Sequence, residues 1–551
     1  MSLDDEKLEK YLPPTQLLEV NLAGLDKAEE DLAKSKAVHS HEKNDEALDF
    51  LESNSHNVKY VSAEDNTRIL RKIDRNIMPI MFAIYFLQYM DKKTISLSSV
   101  FGLSRETDLV GDDYSLLGSI LFIAQLVFQP LSAYFLVKFR LSIYVPTMVT
   151  CWGVTLTCMA AARNFSGLLV SRFFLGGFEA SVQGAFILTA QTWYRRREQG
   201  IRLAIWYSHA GLVNIFGTLI MFGIGHIRST LYSYQIISLI LGGITMIVGL
   251  TSFFLFPDNP VRAKFLTPEE KLIAIERVRA NQQGLEVKVF KPKQVYEMVL
   301  DVKSWCWMLI ALGVSIPAGG IASFGPLIVR GFGFNGDAVM LLLMPYGVLQ
   351  LLWLALAFWA NNRFNTKWLI LVLSTITSFS AAVILLCTGR EKEDQPILLF
   401  AYYLTSSYTP ASPTIINWQS SNVAGHTKKN ATNAFMIMGI VSGNIIGPLL
   451  FNSQDKPYYH RGLTAMIICF GISTLLVIAT VLYLRHLNEW NRKRRITRGK
   501  AGKIIDYSML TASAAAEERM KDQSPDTGKH AFDDLTDLQN DEFIVCFFFF
   551  V

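Results

Sequence analysis

Residues Tyr85 to Ser99 read YFLQYMDKKTISLSS. An acid and two lysines, Asp91, Lys92 and Lys93, interrupt a run otherwise apolar enough to cross a membrane, and the run resumes as ISLSSVFGL. A helix crossing a hydrocarbon core about 30 Å thick needs about 20 residues. Counted from Ile77 at about 1.5 Å per residue, Asp91 lies about 21 Å and Lys92 about 22 Å from the inner edge, inside the hydrocarbon zone. A charge near the bilayer centre costs about 2.5 to 3.5 kcal/mol on insertion scales, so such side chains face a cavity and pair. The alternative is a span that ends near Met90, with the charges in an outer loop; the apolar run beyond them argues against it.

The same measure applied to the whole chain marks twelve spans. They run from about Ile77 to Leu103, Tyr114 to Val137, Ile143 to Ala162, Gly167 to Trp193, Leu203 to Ile227 and Tyr232 to Phe256. After a polar interval they continue from Trp305 to Val329, Val339 to Phe358, Trp368 to Thr388, Ile397 to Asn422, Asn433 to Phe451 and Leu463 to Leu484. The expected fold is an all-α integral membrane protein, with twelve transmembrane helices in two six-helix bundles. Residues 1–67 form a polar N-terminal tail, 68–256 the first six helices, 257–303 a linker, 304–486 the second six and 487–551 a C-terminal tail.

The first tail is acid-rich (LDDEKLEK, EKNDEALDFLE) and has neither an apolar core nor a cleavage site, so it is expected to be disordered rather than a signal peptide. The net charge of +5 does not point to nucleic acid, because the bases flank span ends. Arg68, Arg71, Lys72 and Arg75 precede the first span, Arg195 to Arg197 follow the fourth, and Arg492 to Arg495 follow the last. The positive-inside rule accounts for them and sets both termini in the cytoplasm. Five of the six cysteines fall in or beside spans, without metal spacing or a disulfide framework. The sequon at Asn164 lies too close to the membrane to be a good acceptor. No HExxH, GxSxG or His/Asp cluster points to an enzyme, and no cofactor or metal is implied.

Within the linker, LTPEEKLIAIERVRANQQG carries helix punctuation: Thr267 as N-cap, Pro268 at the first position, Glu270 closing a capping box and Gly284 as the stop. Leu272, Ile275 and Val278 give it an apolar face for the bundle or the lipid surface. The two halves echo each other weakly. YFLVKFR after the second span and WANNRFN after the eighth align Lys138 with Arg363 and Phe139 with Phe364, as parallel six-helix repeats would.

In the fourth span, Arg172, Gly176, Glu179 and Gln183 recur on one helical face. Arg172 lies about 22 Å from the inner edge, level with Asp91, and Glu179 about 10 Å deeper, near the midplane. Arg172 is therefore expected to pair with Asp91, and Gly176 to let a neighbouring helix approach. Glu179 then has no obvious partner. An acid left alone there is a natural proton carrier, since desolvation disfavours its charged form. The alternative is that Arg172 and Glu179 only knit the bundle. Gln125, His209, Asn214, Tyr346, Gln350, Asn417 and Asn422 either line a cavity or serve as interhelical hydrogen-bond glue.

On these residues the chain resembles the major facilitator superfamily, in particular its anion:cation symporter family and the fungal allantoate permease group. The shared features are an Asp followed by a base (Asp91, Lys92) and R-x-x-x-G-x-x-E (Arg172, Gly176, Glu179). To these are added RKIDR at Arg71 to Arg75, QYMDK at Gln88 to Lys92, FPDNP at Phe256 to Pro260 and RANQQG at Arg279 to Gly284. IPAGGIASF at Ile316 to Phe324, GHTKKN at Gly425 to Asn430 and FDDLTDLQNDEF at Phe532 to Phe543 complete the set.

The resemblance implies the major facilitator fold and proton-coupled import of a small organic acid across the plasma membrane, with the endoplasmic reticulum membrane as the alternative. It assigns Asp91, Glu179 and Arg172 to proton coupling and Lys92 to the substrate carboxylate. Gln125, Gln183, His209, Tyr346 and Asn422 are the candidates to line the substrate site. A lysine in place of arginine replaces a bidentate fork by a point charge. The superfamily's loop signature after the second span is mostly absent, with only Lys138 and Arg140 left of its bases. The partners implied are the acid, protons and lipid, with no nucleic acid, and the chain is expected to act as a monomer. The rival reading is a nutrient sensor that keeps the fold and signals through its tails.

Overall fold

The computed structural model describes residues 63–497 except 101, 195, 226, 228, 280–290, 365 and 452–454, together with residues 536–538. The expected N-terminal disorder up to residue 62, the helix stop at Gly284 and the terminal IVCFFFFV lie outside the described residues. Among those described, every regular element is helical.

The first half holds α1 (Ala63–Ser98), α2 (Asp113–Lys138), α3 (Leu141–Met159), α4 (Phe165–Trp193), α5 and α6 (Ser233–Leu255). Here α5 is a succession of Arg196–Tyr207, His209–Leu212, a π-helical turn Val213–Gly217 and Thr218–Gly225. In the second half are α7 (Val302–Gly331), α8 (Gly336–Phe364), α9 (Lys367–Cys387), α10, α11 (His426–Leu449) and α12 (His460–Thr497). The tenth segment, expected as one helix, is instead broken into Gln395–Thr405, a 3-10 turn Ser406–Tyr408 and Ala411–Ser421. Pro410 and Pro413 explain the break, because each lacks an N–H and tolerates only the first turn of a helix.

Among the described residues, ten helices are long and apolar enough to cross a membrane by length and composition, and α1 and the broken α10 complete the twelve. Arg75 and Asp91 bracket the apolar run of α1. That helix begins well before the expected Ile77, because Ile69, Ile73 and Ile77 recur one turn apart and are all buried.

Close helix contacts build each half. In the first, α3 runs along α6 and α2 along α4; in the second, α7 runs along α11 and α9 along α12. A Cβ on Gly153 of α3 would stand 2.6 Å from the main-chain nitrogen of Met246, and one on Gly249 of α6 2.8 Å from that of Thr150. The α7–α11 seam repeats the device, with a Gly319 Cβ 2.9 Å from the Asn444 Cα. Small residues permit such backbone approach where lipid removes the hydrophobic drive between helices.

At the face opposite the linker, hydroxyl groups of the first half join it to the second. Tyr114 donates to the Ser323 carbonyl (2.8 Å), Ser115 to that of Phe451 (2.8 Å) and Ser119 to that of Ile445 (2.8 Å). Halfway down, Asn214 Nδ2 donates to Gln350 Oε1 at 2.7 Å, so these two polar groups act as glue between halves. On the linker face, the first piece of α5 touches the second piece of α10.

The expected capping box is present: the Glu270 amide donates to Thr267 Oγ1 (3.3 Å) and the Thr267 amide to Glu270 Oε2 (3.0 Å). Its helix, Pro268–Arg279, lies on α1 and α4 with Ile275 buried, and Lys72 bridges to Glu270 at 2.6 Å. There burial works against the Glu270 carboxylate, but the Lys72 ammonium and the capping amide outweigh it and hold the carboxyl below its usual range. Asp74 grips Arg202 of α5 through both carboxylate oxygens (2.6 and 3.2 Å). The RKIDR run is thus a linker-face clamp, and in FPDNP Asp258 accepts the Ser142 amide at the start of α3 (2.7 Å). Asn164 caps α4 by accepting the Gly167 amide at 2.9 Å.

Replacing Gly153 by Leu is expected to push α3 off α6 and destabilise the protein by about 3 kcal/mol or more, the upper range for overpacking. Thermal unfolding of the detergent-purified protein measures it; an unchanged midpoint would mean that the α3–α6 contact is not tight.

Candidate functional site

Three helices bring the in-membrane charges together. In α1, Gln88 and Lys92 lie one turn apart, and on α4 Glu179 faces them. Lys92 Nζ is 3.7 Å from Glu179 Oε2, and the same oxygen accepts from Gln125 of α2 (3.0 Å) and Gln88 (3.4 Å). The Glu179 side chain is fully buried, while 26% of that of Lys92 is exposed. An acid and a base at this depth, the acid also held by two amides, can be kept together or separated by a proton or a competing anion.

The expected pairing therefore differs. Arg172 does reach the level of Asp91, but it donates to that residue's main-chain oxygen at 3.3 Å rather than to its carboxylate. Glu179, expected to lack a partner, is the acid that has one. The reason is rotational: at 3.6 residues per turn, neighbours on a helix point about 100° apart, so Asp91 and Lys92 cannot face the same helix. Lys92 takes the α4 side. Asp91 turns toward α3, where the Trp152 indole lies beside it, and neither of its carboxylate oxygens has a hydrogen-bond partner among the described residues.

Gly176 does what its spacing suggests, letting the main chain of α2 at Leu121 press against α4 where a Cβ would clash. Lys93 is also buried, 6.0 Å from the centre of the Tyr89 ring, and has no carboxylate within ion-pair distance among the described residues. His209 sits among Tyr85 and Tyr89 (ring centres 5.2 and 5.1 Å) and its Nδ1 donates to the Trp206 carbonyl. From the second half, Tyr346 lies against Tyr402, with its hydroxyl unpartnered among the described residues.

Of the other candidates, Gln183 is half-buried on α4 one turn beyond Glu179 and joins no hydrogen bond of this cluster among the described residues. Asn422 lies at the end of α10 on the linker face, where its amide donates to the Trp418 carbonyl (2.8 Å). Asn417 accepts from Lys367 (3.3 Å), holding α9 to α10. Sequence reasoning gave no role to Gln88, although its i, i+4 spacing from Lys92 is the signal that finds it. Trp152 and Lys93 carry no such signal, since only the rotation of α1 places them.

Twelve helices in two halves, with paired charges sunk at mid-depth, define a multi-pass membrane transporter. Residues 81–448 match the Major Facilitator Superfamily, and the chain belongs to that family. Its relatives are transporters, not enzymes, and include the allantoate-permease-like group of fungi. A thiamine pathway transporter of Saccharomyces cerevisiae is 30% identical over 488 residues, covering 88% of this chain and 87% of its own. The allantoate permease of the same organism is 28% identical over 521 residues, covering 92% and 91%. Among solved structures, a D-xylose–proton symporter aligns with 73% of this chain and 96% of its own at a TM-score of 0.55 and 13% identity, a likeness of fold alone.

Replacing Asp91 by Asn is expected to leave thermal stability unchanged or raise it, because a buried carboxylate without hydrogen bonds is costly to ionise. A loss of about 3 kcal/mol or more, the scale for breaking a buried charged pair, would show that Asp91 has a partner holding it.

Proposed function

We propose that this protein is a proton-coupled symporter that imports a small carboxylate-bearing nutrient, as a monomer in the plasma membrane with both termini in the cytoplasm. One observation carries the choice of an anion. Three bases (the partly exposed Lys92 and the buried Lys93 and Arg172) stand with two buried acids (Asp91, Glu179), so full ionisation leaves one positive charge over, and Lys93 has no carboxylate within ion-pair distance among the described residues. An incoming carboxylate supplies the missing negative charge, whereas a cation would add to the excess. The names of the two yeast relatives point to different nutrients, and the charge balance favours the acidic one.

Coupling follows from Lys92 having two suitors. Ionised Glu179 holds it; a proton on Glu179 releases it to the substrate carboxylate. Proton and substrate then favour each other's binding, which is the condition for moving together. The amides of Gln125 and Gln88 keep Glu179 facing Lys92 while this exchange happens. Asp91, buried without a hydrogen bond among the described residues, is the second proton-coupling group, and Arg172 fixes the α1 main chain beside it. Of the expected substrate-lining residues, His209 and Tyr346 stay in the proposal through the aromatic walls on either side of Tyr89.

Uptake of labelled small acids into cells lacking related permeases, with and without a proton gradient, tests the reading. Lys92→Gln and Lys93→Gln are each expected to raise the apparent KM for the best acid by about tenfold, the loss of one charged hydrogen bond. Unchanged KM in both variants, or uptake of cations with no competition from acids, would overturn the choice of an anion.

For Glu179→Gln the expectation is a split. Labelled substrate should still exchange for unlabelled across the membrane, since exchange needs no net proton movement, but concentration against a gradient should be lost. Accumulation with the wild-type pH dependence would place coupling elsewhere.

A further inference from the structure

Beyond α12, residues 536–538 return to the protein, and Thr536 and Asp537 are buried there. The Asp537 carboxylate meets two lysines. Its Oδ1 lies 3.0 Å from Lys428 Nζ, its Oδ2 pairs with Lys303, and Oδ1 also accepts the Ala424 amide at 3.3 Å. Lys428 continues to Asp301 (2.8 Å) and Glu297 (3.0 Å), and Arg494 donates to the Leu538 carbonyl at 3.1 Å. Thr536 packs beside Gly425, whose φ of +86° and missing side chain make room for it.

This is unlike a surface ion pair. The side chains of Lys303 and Lys428 are 1% and 0% exposed, and withdrawing Asp537 takes a carboxylate from both, leaving Lys303 only its longer pair with Asp301 at 3.6 Å and making Lys428 share that same Asp301. Burial by itself works against the Asp537 carboxylate, but Lys303 and Lys428 outweigh it and hold the carboxyl below its usual range. The stabilisation is therefore fully present above the ordinary carboxylate range, including neutral pH, and is lost only as pH falls through the lowered value.

Every wall of the pocket comes from the second half or the end of the linker: the helix Pro292–Leu300 and its cap, α7, the α10–α11 turn, α11 and α12. The GHTKKN run supplies Gly425 and Lys428. Directly before that turn stands the second piece of α10, which touches α5 of the other half on the linker face.

We propose that residues 536–538 are a latch: the chain's own tail docks its Asp537 into this pocket, and docking holds the α10–α11 turn and the lower piece of α10 where they form the inner gate. The pocket is thus a peptide-binding site for an acidic segment, occupied in cis. Its effect on the gate rests on the transport reading; docking itself does not.

Hydrogen exchange of the purified full chain reads docking directly. In Asp537→Lys, amides of residues 422–428 and 536–538 should exchange about tenfold faster or more, the scale of one lost charged contact, while those around Glu179 stay as in the wild type. A synthetic peptide FDDLTDLQNDEF should restore slow exchange at 422–428, and the same peptide with Asn at the position of Asp537 should not. In proteoliposomes the maximal uptake rate should fall by about threefold, as for a gating step remote from the site. If Asp537→Lys does not fold, Asp537→Asn carries the same measurements. Wild-type exchange at 422–428 in the variant overturns docking, and faster exchange with undiminished uptake overturns control of the gate. A wild-type protein that takes up no acid defeats the transport reading and the gate with it, while exchange still decides docking.

Discussion

Glu179 sits in the middle of α4, and an apolar bundle can hold its charge there because Lys92 of α1 and the amides of Gln125 and Gln88 meet it. The arrangement is conditional. A buried pair gives little net stability, yet removing one partner strands the other, so anything that takes Lys92 or neutralises Glu179 must be matched by a compensating change. Three helices are tied to that one carboxylate. The backbone contact that Gly176 allows between α4 and α2 is what brings Gln125 within reach of it.

Around the cluster, the scaffold is stiff within each half, and the halves themselves meet at backbone distance where Gly211 of α5 faces Gly347 of α8. Glycine seams join α3 to α6 and α7 to α11 at backbone distance, so each half can move as a unit. Across the interface, hydroxyl bonds to main-chain oxygens close the face opposite the linker. Such bonds are individually modest and can be exchanged for others, which suits an interface that must open. The π turn of α5 and the break in α10 fall in helices that touch across this interface, where regular hydrogen bonding is relaxed.

The linker face is held by charge. Lys72 to Glu270 and Asp74 to Arg202 fasten the first half to the linker and α5, while Lys428, Lys303, Asp301 and Asp537 fasten the second half to the linker's end and the tail. Several short runs that mark the family are these fasteners. Their residues are needed less for chemistry than for giving each half a fixed end.

Hydrophobic runs and charge placement alone determined the number of spans, the two-half division, the capping box at Thr267 and Glu270, and the levels of Asp91, Arg172 and Glu179. Those properties are local or linear: a span needs only length and apolarity, a capping box only four consecutive residues, a level only a count along a helix. Which acid meets which base was decided by the tertiary structure, because a level says nothing about rotation, and about 100° between Asp91 and Lys92 sends them to different neighbours. Helix continuity through Arg68 to Arg75 and the break in α10 likewise depend on what each turn packs against. The meeting of Asp537 with Lys303 joins residues 234 positions apart, and no periodicity along the chain records it.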